Sequence, residues 1–351
     1  MLREKGLTGS QIGILYGIFL GAGLLFTLPT GISNDRFKSR YLISLGLILN
    51  SIFFWGMAYF SSFSVLCLLY FLYSIGKQFF GVSLNALIYK IIHPEQSALK
   101  LGQFIGGKTL LAALGAFLGG ILLGIFDFKI VFLSAGFFSL LLAVAALFLP
   151  NQETYKFSVL TYRKDIWKKE VLFFALVMFL FALHYGAEQT SYGLFLQENL
   201  HLDKKGIGIY TGSTIAFLGI IAIYFGYLTQ HGKLNAIKTL LIGFSLSGIG
   251  HILMTIPDFY TSIFFRSIHE IGDGATIFFM HYGIYKLFPI ERIGGNSSLI
   301  TLISAMGGFI GALITGPLGA NLGYQYPLIL SGVAILASLV LVLLNKKQLL
   351  N

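Results

Sequence analysis

The sequence predicts a polytopic α-helical membrane protein, and three observations predict it. Of 351 residues, 56% are hydrophobic and 11% charged, with 34 Phe and 18 Tyr, far from the balance of a soluble domain. Apolar stretches of about 20 residues recur along the whole chain, each long enough at 1.5 Å per residue to cross a hydrocarbon core of about 30 Å. The cations sit mostly between those stretches, which gives the formal charge of +10 a use in membrane orientation rather than in binding nucleic acid.

The predicted spans are eleven, each an apolar run closed by charged or turn-forming residues. The first, 11–31, ends where the polar run Ser33–Arg40 begins; 41–60 carries no charge; 63–89 carries Lys77 and ends before Lys90. Next come 101–125, after His93-Pro94-Glu95, and 129–149, between Asp127 and Pro150. A polar, basic stretch at 150–169 separates these from 170–196. The span 206–229 follows Asp203-Lys204-Lys205, 236–256 follows His231-Gly232-Lys233, and 259–288, the most polar, ends at Pro289. The last two, 296–321 and 325–344, flank Gly323. Cys67 is the single cysteine, lies within an apolar run and is read as packing.

Threading the spans alternately places Arg36, Lys38, Arg40, Lys90, Lys100, Lys156, Arg163, Lys164, Lys168, Lys169, Lys233, Lys238, Lys286, Arg292, Lys346 and Lys347 on one side. The other side receives Arg3, Lys5, Lys129, Lys204 and Lys205. By the positive-inside rule the first side is cytoplasmic, so the expectation is a multi-pass protein of the cell (inner) membrane with a cytoplasmic C-terminus.

The chain also repeats. Ile12-Gly13-Ile14 and Gly17 match Ile207-Gly208-Ile209 and Gly212 at an offset of 195, and Gly31 falls on Gly226. Ile88-Tyr89-Lys90 matches Ile284-Tyr285-Lys286 at 196, and Leu114 to Gly119 resembles Met306 to Gly311 at 192. Two repeated halves in one bilayer are a transporter plan with the substrate site between them near the midplane. The halves are expected at 1–149, with five helices, and 170–351, with six, joined by a cytoplasmic linker at 150–169. The span at 170–196 has no partner in the first half, so the sequence reads as beginning one helix late.

Gly31-Ile32-Ser33-Asn34-Asp35-Arg36-Phe37-Lys38-Ser39-Arg40 resembles the G-x-x-x-D-R-x-G-R-R signature of the major facilitator superfamily, with Lys38 at the usual Gly and Ser39 at an Arg. Lys77-Gln78-Phe79-Phe80-Gly81 is similar to the family's R-x-x-x-G motif. Gly115-Ala116-Phe117-Leu118-Gly119-Gly120 is similar to its G-P-x-x-G-G motif with Ala at the Pro, and reads equally as small-residue packing. The resemblance implies two pseudo-symmetric bundles of eleven helices, the usual twelve without the first. It also implies a cytoplasmic latch at Gly31, Asp35, Arg36 and Arg40, with Lys90 and the helix N-terminus near Gly294–Ser298 as partners of Asp35.

Charged residues within spans are expensive in lipid and mark function by default. His184 and Glu188, four apart, share a helix face, with Gln189 beside them; Arg266, Glu270 and Asp273 line another, and His269 precedes Asp273 by four. The offset of 196 sets Lys77 against Asp273, so a pair across a central cavity is expected. The substrate and proton-coupling set is therefore Lys77, His184, Glu188, Gln189, Arg266, Glu270 and Asp273. No metal-ligand cluster, nucleophile elbow or phosphate loop stands out, so no cofactor and no metal is expected. The reading is a monomeric, proton-coupled secondary transporter of a small molecule, not an enzyme. A polytopic enzyme with an intramembrane polar site and an inactive truncated transporter stand as alternatives.

Overall fold

The computed structural model describes residues 2, 5–156, 158–345 and 349, and among them the chain is helical with no strand. Arg3, Lys346 and Lys347 of the charge tally lie outside the described residues. The first helices are α1 (Gly9–Arg36), α2 (Ser39–Tyr59), α3 (Phe63–Ile91), α4 (Ser97–Ile125) and α5 (Phe128–Ala146). The linker then forms a short helix, α6 (Val159–Ile166). Helix α7 (Lys169–Ala187) runs through a π-helical turn, Glu188–Tyr192, into α8 (Gly193–Glu198). The remainder is α9 (Lys204–Gln230), α10 (Ala236–Leu253), α11 (Phe259–Leu287), α12 (Ile293–Leu322) and α13 (Gln325–Asn345).

Among the described residues ten helices are long and apolar enough to cross a membrane; α11 is of comparable length, at 29 residues, but carries Arg266, Glu270 and Asp273. Leu25, Leu111, Phe138 and Leu344 are among many large apolar side chains left more than half exposed. In water such a surface would associate, whereas in lipid it is the required solvent-facing surface. The internal repeat shows in the element order, since α3 and α11 are both 29 residues and begin at 63 and 259, the expected offset of 196.

Packing divides the chain into two compact units, and they interleave along the sequence. One unit holds Met1–Ile91, Ile125–Arg163 and Phe288–Leu302. In it α2 packs on α3 where Gly46 meets the Gly76 backbone, and on α5 through Ser51 Oγ donating to Gly136 O at 2.8 Å and Ser139 Oγ donating to Leu47 O at 2.8 Å. The other unit holds Ile92–Gly124, Lys164–Leu287 and Ile303–Asn351. There α4 joins α9 because glycine faces glycine, Gly102 on Gly226 and Gly120 on Gly208. Of the Gly115–Gly120 motif, a Cβ on Gly115 or Gly119 would meet nothing, so Gly120 alone of its glycines makes that close approach.

Helices α10 and α11 touch almost backbone to backbone in this second unit. A Cβ on Gly250 would strike the His269 backbone, and one on Gly272 would strike that of Ser247. These two glycines bring the polar residues of both helices within hydrogen-bonding reach.

Candidate functional site

In the first unit the polar node is at Asp35, in the last turn of α1. The sequence pattern ends this span at Gly31, ahead of the polar run Ser33–Arg40; instead the helix continues to Arg36 and only Phe37 and Lys38 separate it from α2. Nothing between Gly31 and Arg36 breaks a helix. Ser33 Oγ and Asn34 Nδ2 donate back to Pro29 O and Thr30 O, and Asn34 Nδ2 also reaches Ser83 Oγ at 2.9 Å.

The Asp35 carboxylate is 3% exposed and has four partners. Lys90 Nζ lies 2.8 Å from Oδ1; Gly294 N donates to Oδ1 at 3.0 Å and Gly295 N to Oδ2 at 2.7 Å. The first amides of α12 have no partner within their own helix, and the helix dipole favours an anion there. Both partners expected for Asp35 are thus present. The fourth, Tyr162 Oη of α6, donates to Oδ2 at 2.7 Å and was not foreseen. Gly31 makes the approach possible, because a Cβ there would overlap Ser298 and the Gly294 carbonyl.

The linker is tied to the same place: Tyr155 N donates to Asp35 O at 2.7 Å, and Gln152 Nε2 to Phe37 O at 3.0 Å and Ser39 Oγ at 2.9 Å. Tyr155 Oη donates to Glu153 at 2.7 Å, which with partial burial pushes the phenol up to about 12, so the ring beneath Lys90 stays neutral. Arg36 and Arg40 stand apart from the carboxylate, Arg36 beside Phe37 and Arg40 donating to Tyr41 Oη at 2.8 Å. Lys77 also belongs to this unit, its ammonium 5.9 Å from the Tyr73 ring centroid.

In the second unit α7, α10 and α11 assemble a buried cluster of three carboxylates, one arginine and three histidines. Arg266 binds Glu188 through Nη1 and Glu270 through Nη2, the latter at 2.5 Å, and lies 4.3 Å over the Tyr192 ring. His269 Nε2 reaches Glu188 Oε1 at 3.1 Å, and His184 Nε2 reaches Asp273 Oδ2 at 3.2 Å. Ser247 Oγ donates to Asp273 Oδ1 at 2.7 Å. Side-chain exposure is 0% at His184, His251 and His269, 3% at Glu270 and Asp273, 6% at Arg266 and 18% at Glu188. Charges buried so deeply persist only in a mutually bonded set.

The structure therefore brings together His184, Glu188, Arg266, Glu270 and Asp273 of the predicted set. Gln189 is exposed. Asp273, expected opposite Lys77, is held by Ser247 and His184 of its own unit. Sequence reasoning missed His251 and Ser247 on α10. Its signal was available, since a histidine inside an apolar span is itself unusual in lipid. The expectation of no metal-ligand cluster also needs correction. The donor atoms of His184, Glu188 and His269 all lie within 4.8 Å of one another, an arrangement invisible in sequence because α7 and α11 meet only on folding.

The family model described as Major Facilitator Superfamily matches residues 1–233 and again 174–349. The quinolone resistance protein NorA of Staphylococcus aureus (strain Mu50) is 26% identical over 365 residues, covering 99% of this chain and 90% of its own. An uncharacterised MFS-type transporter of Methanocaldococcus jannaschii is 24% identical, with 92% and 85% covered. Among solved structures, the human organic anion transporter MFSD10 superposes with a TM-score of 0.75 at 15% identity, covering 94% of this chain and 83% of that one. A bacterial homologue of the iron transporter ferroportin, in an outward-facing state, gives 0.68 at 17% identity, with 96% and 91% covered.

Proposed function

The chain belongs to the Major Facilitator Superfamily and is a multi-pass membrane transporter, and from that premise we propose that it couples solute movement to protons through the cluster of α7, α10 and α11. One observation carries the reading. With neutral imidazoles, Glu188, Glu270 and Asp273 against Arg266 leave a net charge of −2 at membrane depth. A buried excess of that size calls for bound cations, and the Asp273–His184 and Glu188–His269 contacts are where protons would sit. A transporter that must load such a site before its cavity changes sides becomes proton-coupled.

The moving parts in this reading are the repeat halves, 1–149 and 170–351, with 150–169 between them and the central site at the midplane. Asp35, bonded to Lys90 and the amides of Gly294 and Gly295, serves as the cytoplasmic latch, with Arg36 and Arg40 flanking it. Lys77 and Gln189 contribute to the cavity rather than to the cluster. The protein acts as a monomer in the cell membrane with its C-terminus in the cytoplasm. Its solute is a small organic molecule, and the relatives titled quinolone resistance protein make a quinolone, a planar aromatic acid, the first compound to try.

Proteoliposomes containing a pH-sensitive dye test this. A quinolone added to one side is expected to move protons with the wild-type chain and to lose that movement with Asp273→Asn. Solute uptake that persists undiminished when the pH gradient is collapsed would leave a transporter that is not proton-coupled.

A further inference from the structure

The three histidines are held in one common way. His184 Nδ1 donates to Phe181 O at 2.5 Å and His269 Nδ1 to Ser247 O at 2.9 Å, and a carbonyl can only accept. His251 Nδ1 lies 3.1 Å from Ser331 Oγ, whose own hydrogen goes to Leu328 O at 2.9 Å, so here too the ring supplies the proton. Each Nε2 is thereby turned inward. His269 and His184 direct theirs at Glu188 and Asp273, while His251 Nε2, fully buried, has no hydrogen-bond partner and sits 3.9 Å from Glu188 Oε1.

An imidazole whose Nδ1–H is fixed by an outer acceptor and whose Nε2 converges with others on a carboxylate is the arrangement in which histidine binds metal. Charge agrees with that geometry, because one dication offsets the net −2 left by three carboxylates and Arg266. Two ligands at about 2.1 Å from a tetrahedral ion lie about 3.4 Å apart, so donors now within 4.8 Å need to close by about 1.4 Å at most. Glu188, with 18% of its side chain accessible, is the residue through which an ion would enter.

We propose that this cluster binds one divalent transition-metal ion of zinc-like chemistry, on His184 Nε2, His269 Nε2 and a Glu188 oxygen, with His251 the adjacent third imidazole. Nitrogen and carboxylate donors together favour such an ion over magnesium or calcium, which take oxygen ligands. As Glu188 turns to the metal, Arg266 keeps Glu270; as His184 turns, Asp273 keeps Ser247. That the ion takes the place of two coupling protons rests on the reading above, whereas its binding does not.

The test uses the full chain, purified in detergent without a polyhistidine tag and titrated with Co2+, whose visible absorption separates four- and five-coordinate from octahedral binding. The expected result is one ion per chain with intense low-coordinate bands, displaced by Zn2+ and not by Mg2+. His184→Ala and His269→Ala should each weaken binding by at least about 10- to 100-fold. Should either fail to give a monodisperse protein, the near-isosteric Glu188→Gln carries the same expectation. Absence of those bands in folded wild-type protein overturns the proposal, as does an unchanged titration in a folded variant. Proton flux in chelator-treated buffer separates the two readings, since flux without metal binding removes only the ion and metal binding without flux removes only the coupling.

Discussion

At Arg266 a single guanidinium, stacked over the Tyr192 ring, answers two carboxylates, Glu188 and Glu270. Removing it alone leaves both acids buried without their cation. Breaking a buried pair in this way is destabilising by about 3–5 kcal/mol, while replacing the whole set by neutral groups of similar volume is close to neutral. Arg266→Met should therefore lower the thermal unfolding temperature in detergent sharply, and Arg266→Met combined with Glu188→Gln and Glu270→Gln should recover most of it. A triple variant no more stable than the single one would show that Arg266 stabilises by packing rather than charge. These residues were legible from sequence, because a spacing of four places Arg266 and Glu270 on one face of a helix and Glu188 on one face with His184 of another. His251 was marked only by its type and Ser247 not at all, because their partners lie on α11 and α13 and no spacing within α10 points at another helix.

Helix spans were legible because each is an apolar run, and the predicted 259–288 is observed as Phe259–Leu287. What escaped were features set by contacts between elements: the π-turn at Glu188–Tyr192, the helix α6 inside the linker, and the docking of Tyr162 on Asp35. Close helix approach is of the same kind. Gly272 admits the Ser247 backbone, so Gly272→Val must push α10 from α11, with an overpacking penalty of about 1–3 kcal/mol. Because Ser247 and His251 travel with α10, the same substitution should abolish solute-driven proton movement. On α4, a Cβ at Gly119 meets nothing, so Gly119→Ala should leave both unfolding temperature and transport unchanged. Measuring both variants side by side separates glycines that set helix distance from a glycine that merely occurs in a motif.

For the whole molecule the decisive pattern is charge. Alternate threading of the spans assigns the connections at 92–96, 147–168 and 288–292 to the side that receives most of the cations, and the alternate connections, including that at Pro257-Asp258, carry few. A basic segment resists transfer across an energised membrane, so the first side should be cytoplasmic. Exposed positions make this measurable: Glu153 lies in the linker between α5 and α6, and Asp258 in the turn before α11. In a Cys67→Ser background, a membrane-impermeant maleimide added to intact cells should label Asp258→Cys, and should label Glu153→Cys only after the membrane is opened. Tyr155 and Gln152 anchor the linker to the ends of α1 and α2, so both the linker and the Asp35 node must share one side. Labelling of Glu153→Cys from outside would therefore invert the molecule as a whole and place the proposed latch on the opposite face of the membrane.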